Sequence, residues 1–260
     1  MIEVLVTGAA GRMGGEVIRA ITAADGMRVV AAVDPGTAGG AVDDGAGGTI
    51  PVSGDLATAV AEFKPQVMVD FTHPTAVEAN VATALAAGVH CVVGTTGVSL
   101  STLEALSAAH PRACLFMAPN FAIGAVLLMR FAAQAARYMP HVEVIELHHD
   151  RKADAPSGTA MLTAAMIAEA RREVPSAPGR DTEIAEGARG ALVDGVSVHS
   201  IRLPGLVAHQ EVIFGGVGQT LTLRHDSIDR TSFMPGVVLA VREVSRHSGF
   251  VVGLEALMED

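Results

Sequence analysis

The sequence is poor in aromatic residues: it has no Trp, one Tyr and eight Phe among 260 residues. It is also poor in charge, since 18% of its residues are charged while 50% are hydrophobic. This composition argues against a disordered chain, because there is ample apolar surface to bury. A core without large rings must be built from small aliphatic side chains and Met, which suits parallel strands covered by helices.

Positive charge is scarce as well. Lys and Arg number 18 against 28 Asp and Glu, which gives a formal net charge of -10. Such a balance argues against a nucleic-acid-binding protein, which normally presents a basic surface. An anionic ligand would therefore need a local concentration of Lys, Arg, His and backbone N–H groups.

Cysteines and long apolar runs are few. Cys91 and Cys114 lie in apolar runs, and we interpret them as buried thiols of a reducing compartment, not as disulfide partners or metal ligands. The apolar runs are too short or too interrupted to span a membrane. Residues 1–6 lead into a strand without the basic start of a signal peptide. We therefore expect a cytoplasmic protein that does not bind membranes.

The order of elements divides the chain in two. Over the first 120 residues, β-like runs alternate with helical segments, which is typical of an α/β fold with a parallel sheet. After Asn120 come two long helical runs around a strand at 142–148, then strands joined by Gly-containing turns, which predict an antiparallel or mixed sheet. The predicted strands are 3–6, 28–33, 67–71, 89–93, 115–118, 142–148, 197–202, 211–214 and 220–224, and the predicted helices are 14–22, 75–87, 101–109, 121–138, 157–173 and 230–245. Residues 35–54, rich in Gly, Ala and Asp, are predicted to form a loop with no assigned chemistry.

A glycine-rich turn follows the first predicted strand, with Gly8, Gly11 and Gly14 spaced as GxxGxxG and not as the stricter GxGxxG. Glycines let the backbone turn sharply and approach a pyrophosphate, and the following helix start supplies N–H donors. Asp34 ends the second strand, where a carboxylate accepts hydrogen bonds from the adenosine ribose. Because this carboxylate repels a 2′-phosphate and Pro35 follows it, we predict NADH as the favoured cofactor, with NADPH also possible.

Two further strands end in small polar loops. One loop is Gly94-Thr95-Thr96-Gly97 and the other is Ala118-Pro119-Asn120-Phe121. Ligands of open α/β sheets bind at the carboxyl ends of the strands. We therefore expect these loops to line the nicotinamide half of a dinucleotide site, although each taken singly is equally consistent with a simple turn.

Adjacent histidines mark the segment with the most chemistry. His148 and His149 end a predicted strand, Lys152 follows in a basic loop, and Pro156-Ser157-Gly158-Thr159 then resembles a helix start. Ser157 can cap the helix, and the N–H groups of Gly158 and Thr159 can bind a carboxylate. Neighbouring strand side chains point in opposite directions, so a metal pair is not expected. Imidazole and ammonium groups can transfer protons near neutral pH, though an ordinary solvated loop remains an alternative.

These motifs, in their order and spacing, resemble the dihydrodipicolinate reductase family over nearly the whole chain. The resemblance implies an N-terminal Rossmann domain of residues 1–119, completed by 229–260, and a C-terminal α+β domain of residues 120–228 whose mixed sheet builds a homotetramer. It implies reduction of a small cyclic dicarboxylate, 4-hydroxy-tetrahydrodipicolinate, in diaminopimelate and lysine biosynthesis.

The resemblance also implies roles for individual residues. His148 and Lys152 would be catalytic proton-transfer groups, and His149, Gly158 and Thr159 would bind the substrate carboxylate. The implied cofactor-binding residues are Gly8, Ala9, Ala10, Gly11, Arg12, Met13, Asp34, Gly94, Thr95, Thr96, Ala118, Pro119, Asn120 and Phe121. The family often has Arg after the ribose-binding acid, whereas this chain has Pro35.

Two rival interpretations stay open. One is another NAD(P)-dependent dehydrogenase of amino-acid metabolism, acting on aspartate or its semialdehyde, which would share the dinucleotide half and differ at the chemical loop. The other is a dinucleotide sensor without turnover, which would need the glycine turn and Asp34 but no paired His148 and Lys152.

Overall fold

The computed structural model describes residues 1–171 and 183–258. Two compact units result from the packing of the chain, one formed by Met1–Ala122 with Arg230–Asp260 and the other by Ile123–Asp229. The end of the predicted helix 157–173 falls partly outside the described residues, and its described part ends at Ala170.

The first unit contains an eight-stranded sheet. In chain order its strands and α-helices are β1 (Ile2–Thr7), α1 (Arg12–Ala23), β2 (Met27–Val33), β3 (Ala41–Asp43), β4 (Thr49–Ser53), α2 (Leu56–Phe63), β5 (Val67–Asp70), α3 (Pro74–Ala86), β6 (His90–Val93), α4 (Leu100–Ala109), β7 (Leu115–Met117) and, after the second unit, α7 (Met234–Glu243) and β13 (Phe250–Val252). The strand order is β13-β7-β6-β5-β1-β2-β4-β3, and all neighbours are parallel except β3 and β4. The predicted Rossmann-type α/β sheet is confirmed.

Helices cover both faces of this sheet. Helices α2, α3 and α4 bury aliphatic side chains such as Val77, Val81 and Leu103 against one face, while α1 and α7 contact each other and the strands from the other side. The strands are therefore buried on both sides, which explains why they are nearly continuous runs of aliphatic residues. Cys91 and Cys114 are free and buried in this unit. Burial raises the pKa of both thiols, that of Cys114 to about 11, so neither is a thiolate at neutral pH.

The prediction of a loop over residues 35–54 is wrong. A short 3-10 helix (Pro35–Thr37) leads into β3 and β4, and β4 pairs in parallel with β2 through Ala32 and Val33. The segment lacks a strong strand pattern of its own, because its glycines and aspartates favour turns. Pairing with the sheet edge supplies the hydrogen bonds that make it a strand.

The described residues of the second unit form a five-stranded sheet with two helices. In chain order its elements are α5 (Ile123–Ala136), β8 (His141–His148), α6 (Gly158–Ala170), β9 (Ala191–Val193), β10 (Val196–Arg202), β11 (Ala208–Gly216) and β12 (Gln219–Ser227). The strand order is β12-β11-β8-β10-β9, with β8 and β10 parallel and the other pairs antiparallel. The predicted mixed sheet is confirmed.

Helices α5 and α6 cover one face of the second sheet. Leu128 and Ile167 from these helices pack with Val144, Val198 and Val212 of the strands. Because strand side chains alternate between faces, the residues between these positions lie on the opposite, open face. Ile145, Ile213 and Glu143 are among those that line a groove of about 370 Å³ on that face.

Within residues 1–171 and 183–258, no helix has the length and apolar character needed to cross a bilayer.

Candidate active site

A cavity of about 450 Å³ opens in the first unit at the carboxyl ends of β1, β2 and β5. Strand order reverses around β1, since β2 lies on one side of it and β5 on the other. Such a reversal is where open α/β sheets bind ligands. The cavity is lined by Thr7, Gly8, Gly11, Val33, Asp34, Pro35, Gly54, Leu56, Phe71, Thr72, His73, Ala76 and Asn80.

The glycine-rich turn is held close to its neighbours. Gly8 has φ +70°, and a Cβ there would lie 2.5 Å from the carbonyl oxygen of Phe71. Gly14 packs so closely on the carbonyl of Gly8 that a Cβ would overlap it. Helix α1 begins at Arg12, and its N-cap Gly11 has no side chain to cap the first N–H groups. The turn and the open helix start fit the pyrophosphate of a dinucleotide.

Asp34 joins the glycine turn to the end of β2. Its Oδ2 accepts a hydrogen bond from the N–H of Ala10 at 3.2 Å, and its Oδ1 accepts one from Gly36 at 3.0 Å. Ala9 is buried, whereas Ala10, Gly11 and Arg12 are exposed. The carboxylate therefore lies at the cavity beside the turn.

The two small polar loops meet at the same end of the sheet. The N–H of Gly94 donates to the Asp70 carbonyl at 2.9 Å, and that of Ala118 donates to Val93 at 3.2 Å. Gly94 packs on the ring of Phe71, whose centroid is 5.7 Å from that of Phe121. Of the other predicted residues, Thr95 is buried, Met13 and Asn120 are half-buried, and Thr96 and Pro119 are exposed.

Asp70 organises this end of the sheet, and the sequence analysis missed it. The side chain is fully buried and accepts from the Oγ1 atoms of Thr7, Thr72 and Thr95 at 2.7–2.8 Å, and from Nδ2 of Asn80 at 2.8 Å. One carboxylate thus fixes the loops after β1, β5 and β6 together. An Asp at the end of a strand of aliphatic residues was a readable signal, but its partners come from distant segments.

In the second unit, β8 ends in a buried carboxylate and a histidine on one face. Glu146 and His148 alternate with Leu147 and share the face of buried Val144. Nδ1 of His148 lies 2.5 Å from Oε2 of Glu146, and the His148 side chain is 15% exposed. His148 is thus held at one ring nitrogen, which leaves Nε2 as the nitrogen able to contact a substrate.

Glu146 also binds an arginine from the neighbouring strand. Arg202 ends β10, in register with His148, and donates from Nη1 and Nη2 to the two carboxylate oxygens at 2.8 and 2.7 Å. Burial disfavours the charged carboxylate, but hydrogen bonds from His148, Arg202 and Ser200 outweigh it and hold the pKa of Glu146 at about 2. Glu146 is therefore ionised at neutral pH. The roles of Glu146 and Arg202 were not predicted. The alternation of Val144, Glu146 and His148 along β8 could have indicated the role of Glu146.

Lys152 lies in the loop after β8. Its Nζ donates to both carboxylate oxygens of Asp154 at 2.9 Å, and the hydrogen bond from Lys152 lowers the pKa of Asp154. The Lys152 side chain is 23% exposed. Its ammonium is therefore restrained by one exposed carboxylate and remains accessible to an anion.

The predicted helix start is confirmed. Helix α6 begins at Gly158, and Oγ of Ser157 accepts from the N–H of Ala160 at 3.2 Å. A Cβ added at Gly158 would meet no neighbour within 4 Å, so the start of the helix is open. Thr159 is half-buried, and Nδ1 of His149 is buried without a hydrogen-bond partner among the described residues. An open helix start of this length attracts anions.

In the described parts of the chain, no group of three or more His, Cys, Asp or Glu side chains is placed to hold a metal ion.

Both units of the chain match known proteins. The family model "Dihydrodipicolinate reductase, N-terminus" matches residues 2–121 and "Dihydrodipicolinate reductase, C-terminus" matches residues 124–258. The 4-hydroxy-tetrahydrodipicolinate reductase of Mycolicibacterium vanbaalenii is 49% identical over 261 residues, covering 99% of both chains. That of Desulfitobacterium hafniense is 47% identical over 264 residues, with the same coverage.

Solved structures give the same result. A dipicolinate-bound dihydrodipicolinate reductase from a Paenisporosarcina species superposes with a TM-score of 0.87 at 41% identity, covering 99% of this chain and 100% of that one. An amine dehydrogenase from Mycobacterium smegmatis, at TM-score 0.66 and 14% identity, shares the fold alone. With both family models matched along its length and relatives near half-identical throughout, the chain belongs to the dihydrodipicolinate reductase family of enzymes.

Proposed function

We propose that this enzyme reduces 4-hydroxy-tetrahydrodipicolinate to tetrahydrodipicolinate, with loss of water, at the expense of NADH or NADPH, in diaminopimelate and lysine biosynthesis. The observation that carries the proposal is the segment from His148 to Thr159. It combines an imidazole held by a buried carboxylate, an ammonium and an open helix start. A small cyclic dicarboxylate with a basic ring nitrogen needs these three kinds of group.

The proposed substrate site lies at the start of α6. The N–H groups of Gly158 and Thr159 bind one carboxylate, and the positive end of the helix dipole stabilises its charge. His149 contributes its ring, whose buried Nδ1 lacks a partner among the described residues. The chain has a net charge of -10, which disfavours anion binding. These contacts make binding of the carboxylate possible, because they form a local group of hydrogen-bond donors.

His148 and Lys152 are the proposed catalytic residues. Loss of the 4-hydroxyl group as water gives a conjugated cyclic imine, and a hydride and a proton then complete the reduction. His148 transfers the proton, and Lys152 is a second donor that also stabilises the developing charge. Removal of one such stabilising group typically costs about 10²–10³ in rate.

The proposed cofactor site is in the first unit, and the nicotinamide supplies the hydride when it is bound. Residues 8–13 bind the pyrophosphate through the backbone of the turn, Asp34 binds the ribose, and the loops at 94–96 and 118–121 face the nicotinamide half. Because Asp34 is followed by exposed Pro35 and not by an arginine, NADH is the favoured cofactor, and exposed Arg12 permits some use of NADPH.

The domain assignment and assembly follow the same interpretation. Residues 1–119 with 229–260 form the dinucleotide-binding domain, and residues 120–228 form the domain for substrate binding and oligomerisation. The open face of the second sheet, with Ile145 and Ile213 along its groove, supports a homotetramer built on that face. The enzyme is assigned to the cytoplasm, where free thiols such as Cys91 and Cys114 stay reduced.

The test is an assay of NADH oxidation with the unstable substrate generated in situ by a coupled synthase. We expect oxidation only when the complete generating system is present, and none with the aspartate-derived aldehyde alone. Oxidation of NADH with the aldehyde alone would instead support a dehydrogenase of amino-acid metabolism that reduces this aldehyde to an alcohol, and NADH binding without any turnover would support a sensor.

A further inference from the structure

We propose that Glu146 is a positioning residue, whose carboxylate fixes the tautomer of His148 and anchors the start of the substrate-binding helix α6 at the same time. The inference deepens the proposed reductase function and rests on it, since His148 is the proton-transfer group of that reaction.

The first step of the argument is the set of donors around Glu146. The side chain is fully buried. Its Oε2 contacts Nδ1 of His148 at 2.5 Å and Nη1 of Arg202 at 2.8 Å, and its Oε1 accepts from Nη2 of Arg202 at 2.7 Å and from the N–H of Ser157 at 3.2 Å. One buried carboxylate therefore joins a strand end, a neighbouring strand and a helix start.

The second step is the charge on the carboxylate. A glutamate that receives two guanidinium hydrogen bonds stays ionised, and an ionised carboxylate can only accept hydrogen bonds. The proton of the short contact must therefore be on Nδ1 of His148. In the neutral ring, Nε2 is then bare and able to accept a proton, and in the charged ring Nε2 is the donor.

The third step concerns Arg202. A buried carboxylate without a counter-ion is costly, and removal of one partner of a buried pair is strongly destabilising. Arg202 balances the charge of Glu146, and its Nη2 also donates to the carbonyl of Asp154 at 2.7 Å. The arginine therefore keeps Glu146 charged and connects it to the loop that carries Lys152.

The fourth step links the two halves of the substrate site. Ser157 is buried. Its N–H donates a hydrogen bond to the Glu146 carboxylate, while its Oγ caps α6. The same carboxylate thus fixes the orientation of the His148 imidazole and the position of the helix start that presents the N–H groups of Gly158 and Thr159. A displacement of Glu146 would disturb proton transfer and substrate binding together.

The direct test is the tautomer of His148 in the wild-type enzyme. Two-bond ¹H–¹⁵N NMR spectra distinguish a proton on Nδ1 from one on Nε2, and the His148→Gln variant assigns the signals. We expect the neutral ring to carry its proton on Nδ1. A neutral ring protonated on Nε2 would overturn the inference, and this experiment needs no variant at Glu146 and no turnover.

The functional test is Glu146→Gln, which presents an amide that can donate to Nδ1 and so permits the wrong tautomer. We expect kcat to fall about 100-fold or more, because enzymes with a catalytic imidazole in the wrong tautomer lose several orders of magnitude. The KM for NADH stays unchanged, and the His148 signals move toward the Nε2-protonated form. Glu146→Asp keeps the charge and recovers part of kcat together with the original tautomer.

Glu143→Gln is the matched control for the NMR signals. Glu143 is on the same strand and also pairs with a histidine and an arginine, His199 and Arg189, but it lies on the open face. We expect this variant to leave the His148 tautomer as in the wild type.

The double variant Glu146→Gln with Arg202→Met separates folding from positioning, because removal of both charges avoids an unpaired buried ion. We expect it to unfold at a higher temperature than Glu146→Gln while kcat stays low. Recovery of wild-type kcat in the double variant would contradict the positioning role. A wild-type enzyme that never turns over the substrate would refute the proposed reaction, while the NMR result would still decide the relation between Glu146 and His148.

Discussion

At the scale of single residues, the chain places its charged groups where partners define their state. Glu146 is ionised in the interior because Arg202 and His148 bind it, and Asp70 is buried among three threonines and an asparagine. Both carboxylates hold strand ends in place. The reactive and ligand-binding loops therefore begin from fixed points.

The proton-transfer role of His148 is tested by His148→Gln. We expect kcat to fall about 10²–10³-fold, as for loss of one group that acts on the transition state, with the Kd for NADH unchanged because the proposed cofactor-binding residues belong to the other unit. Stopped assays of turnover and fluorescence titration of NADH measure the two quantities. The control is His141→Gln, at the exposed start of the same strand, which should keep wild-type turnover; equal loss in both variants would contradict the assignment.

Cofactor choice is tested by Pro35→Arg. The wild-type enzyme should favour NADH in kcat/KM, and an arginine beside Asp34 should shift the ratio toward NADPH about tenfold, or about 1.4 kcal/mol, by pairing with the 2′-phosphate. Pro35→Ala, which removes the proline without adding charge, is the control and should leave the ratio near that of the wild type. A wild-type preference of tenfold or more for NADPH would refute the argument from Asp34 and Pro35.

The sequence was informative about residues whose role is local. The cap by Ser157 follows from its place before a helix, and the structure confirms it. The role of Arg202 could not be predicted, because it depends on the parallel pairing of β10 with β8. This pairing places Arg202 beside His148, which is 54 positions earlier in the sequence. The clusters around Glu146 and Asp70 are assembled by the fold from distant segments.

At the scale of elements, the strongest patterns gave the right structure. The strands β1, β2 and β5–β8 were predicted within one or two residues, because buried parallel strands are uninterrupted aliphatic runs. The short strands β3, β4, β9 and β13, which lie at or next to sheet edges, were missed. Each has three to five residues, too few for a periodic pattern, and each is formed by its pairing with a neighbouring strand.

The helix start at α6 gives a prediction at this scale. Ser157→Ala removes the hydroxyl that caps Ala160, and we expect a loss of about 1 kcal/mol in the free energy of unfolding, measured by chemical denaturation. Ser99→Ala is the matched control, since Ser99 is the N-cap of α4 but makes no capping hydrogen bond with its side chain. It should cost clearly less, and an equal loss would mean that the cap of α6 contributes nothing.

At the scale of the whole molecule, Glu146 makes the free energy of unfolding depend on pH in the acidic range. Its pKa is about 2 against an ordinary value of 4.5, so the folded state binds the proton less tightly than the unfolded state. Its stabilising contribution, on the order of 3 kcal/mol, is complete above pH 4.5 and is lost as the pH falls toward 2. Denaturation measured at several pH values should show the difference between the wild type and Glu146→Gln shrinking over that window. Glu62 is exposed, so Glu62→Gln is the control. Its free energy of unfolding, plotted against pH, should run parallel to that of the wild type.

Assembly is the second property at this scale. If the open face of the second sheet forms the proposed homotetramer, Ile213→Asp should reduce the mass measured by light scattering, because a charge would be buried in the interface. Val217→Asp, at the fully exposed turn between β11 and β12, is the control and should keep the wild-type mass. A wild-type monomer would refute the proposed assembly.

The return of residues 230–258 to the first sheet has a consequence for how the protein is made. Strand β13 pairs with β7, and α7 packs beside α1, so the dinucleotide-binding unit is completed by residues that are synthesised after the whole of the second unit. The second unit is continuous in sequence, and its described strands all precede those residues. Since domains fold as units during synthesis, the second unit has its whole sequence available for folding first, and the nucleotide-binding sheet closes only after residues 230–258 have been made.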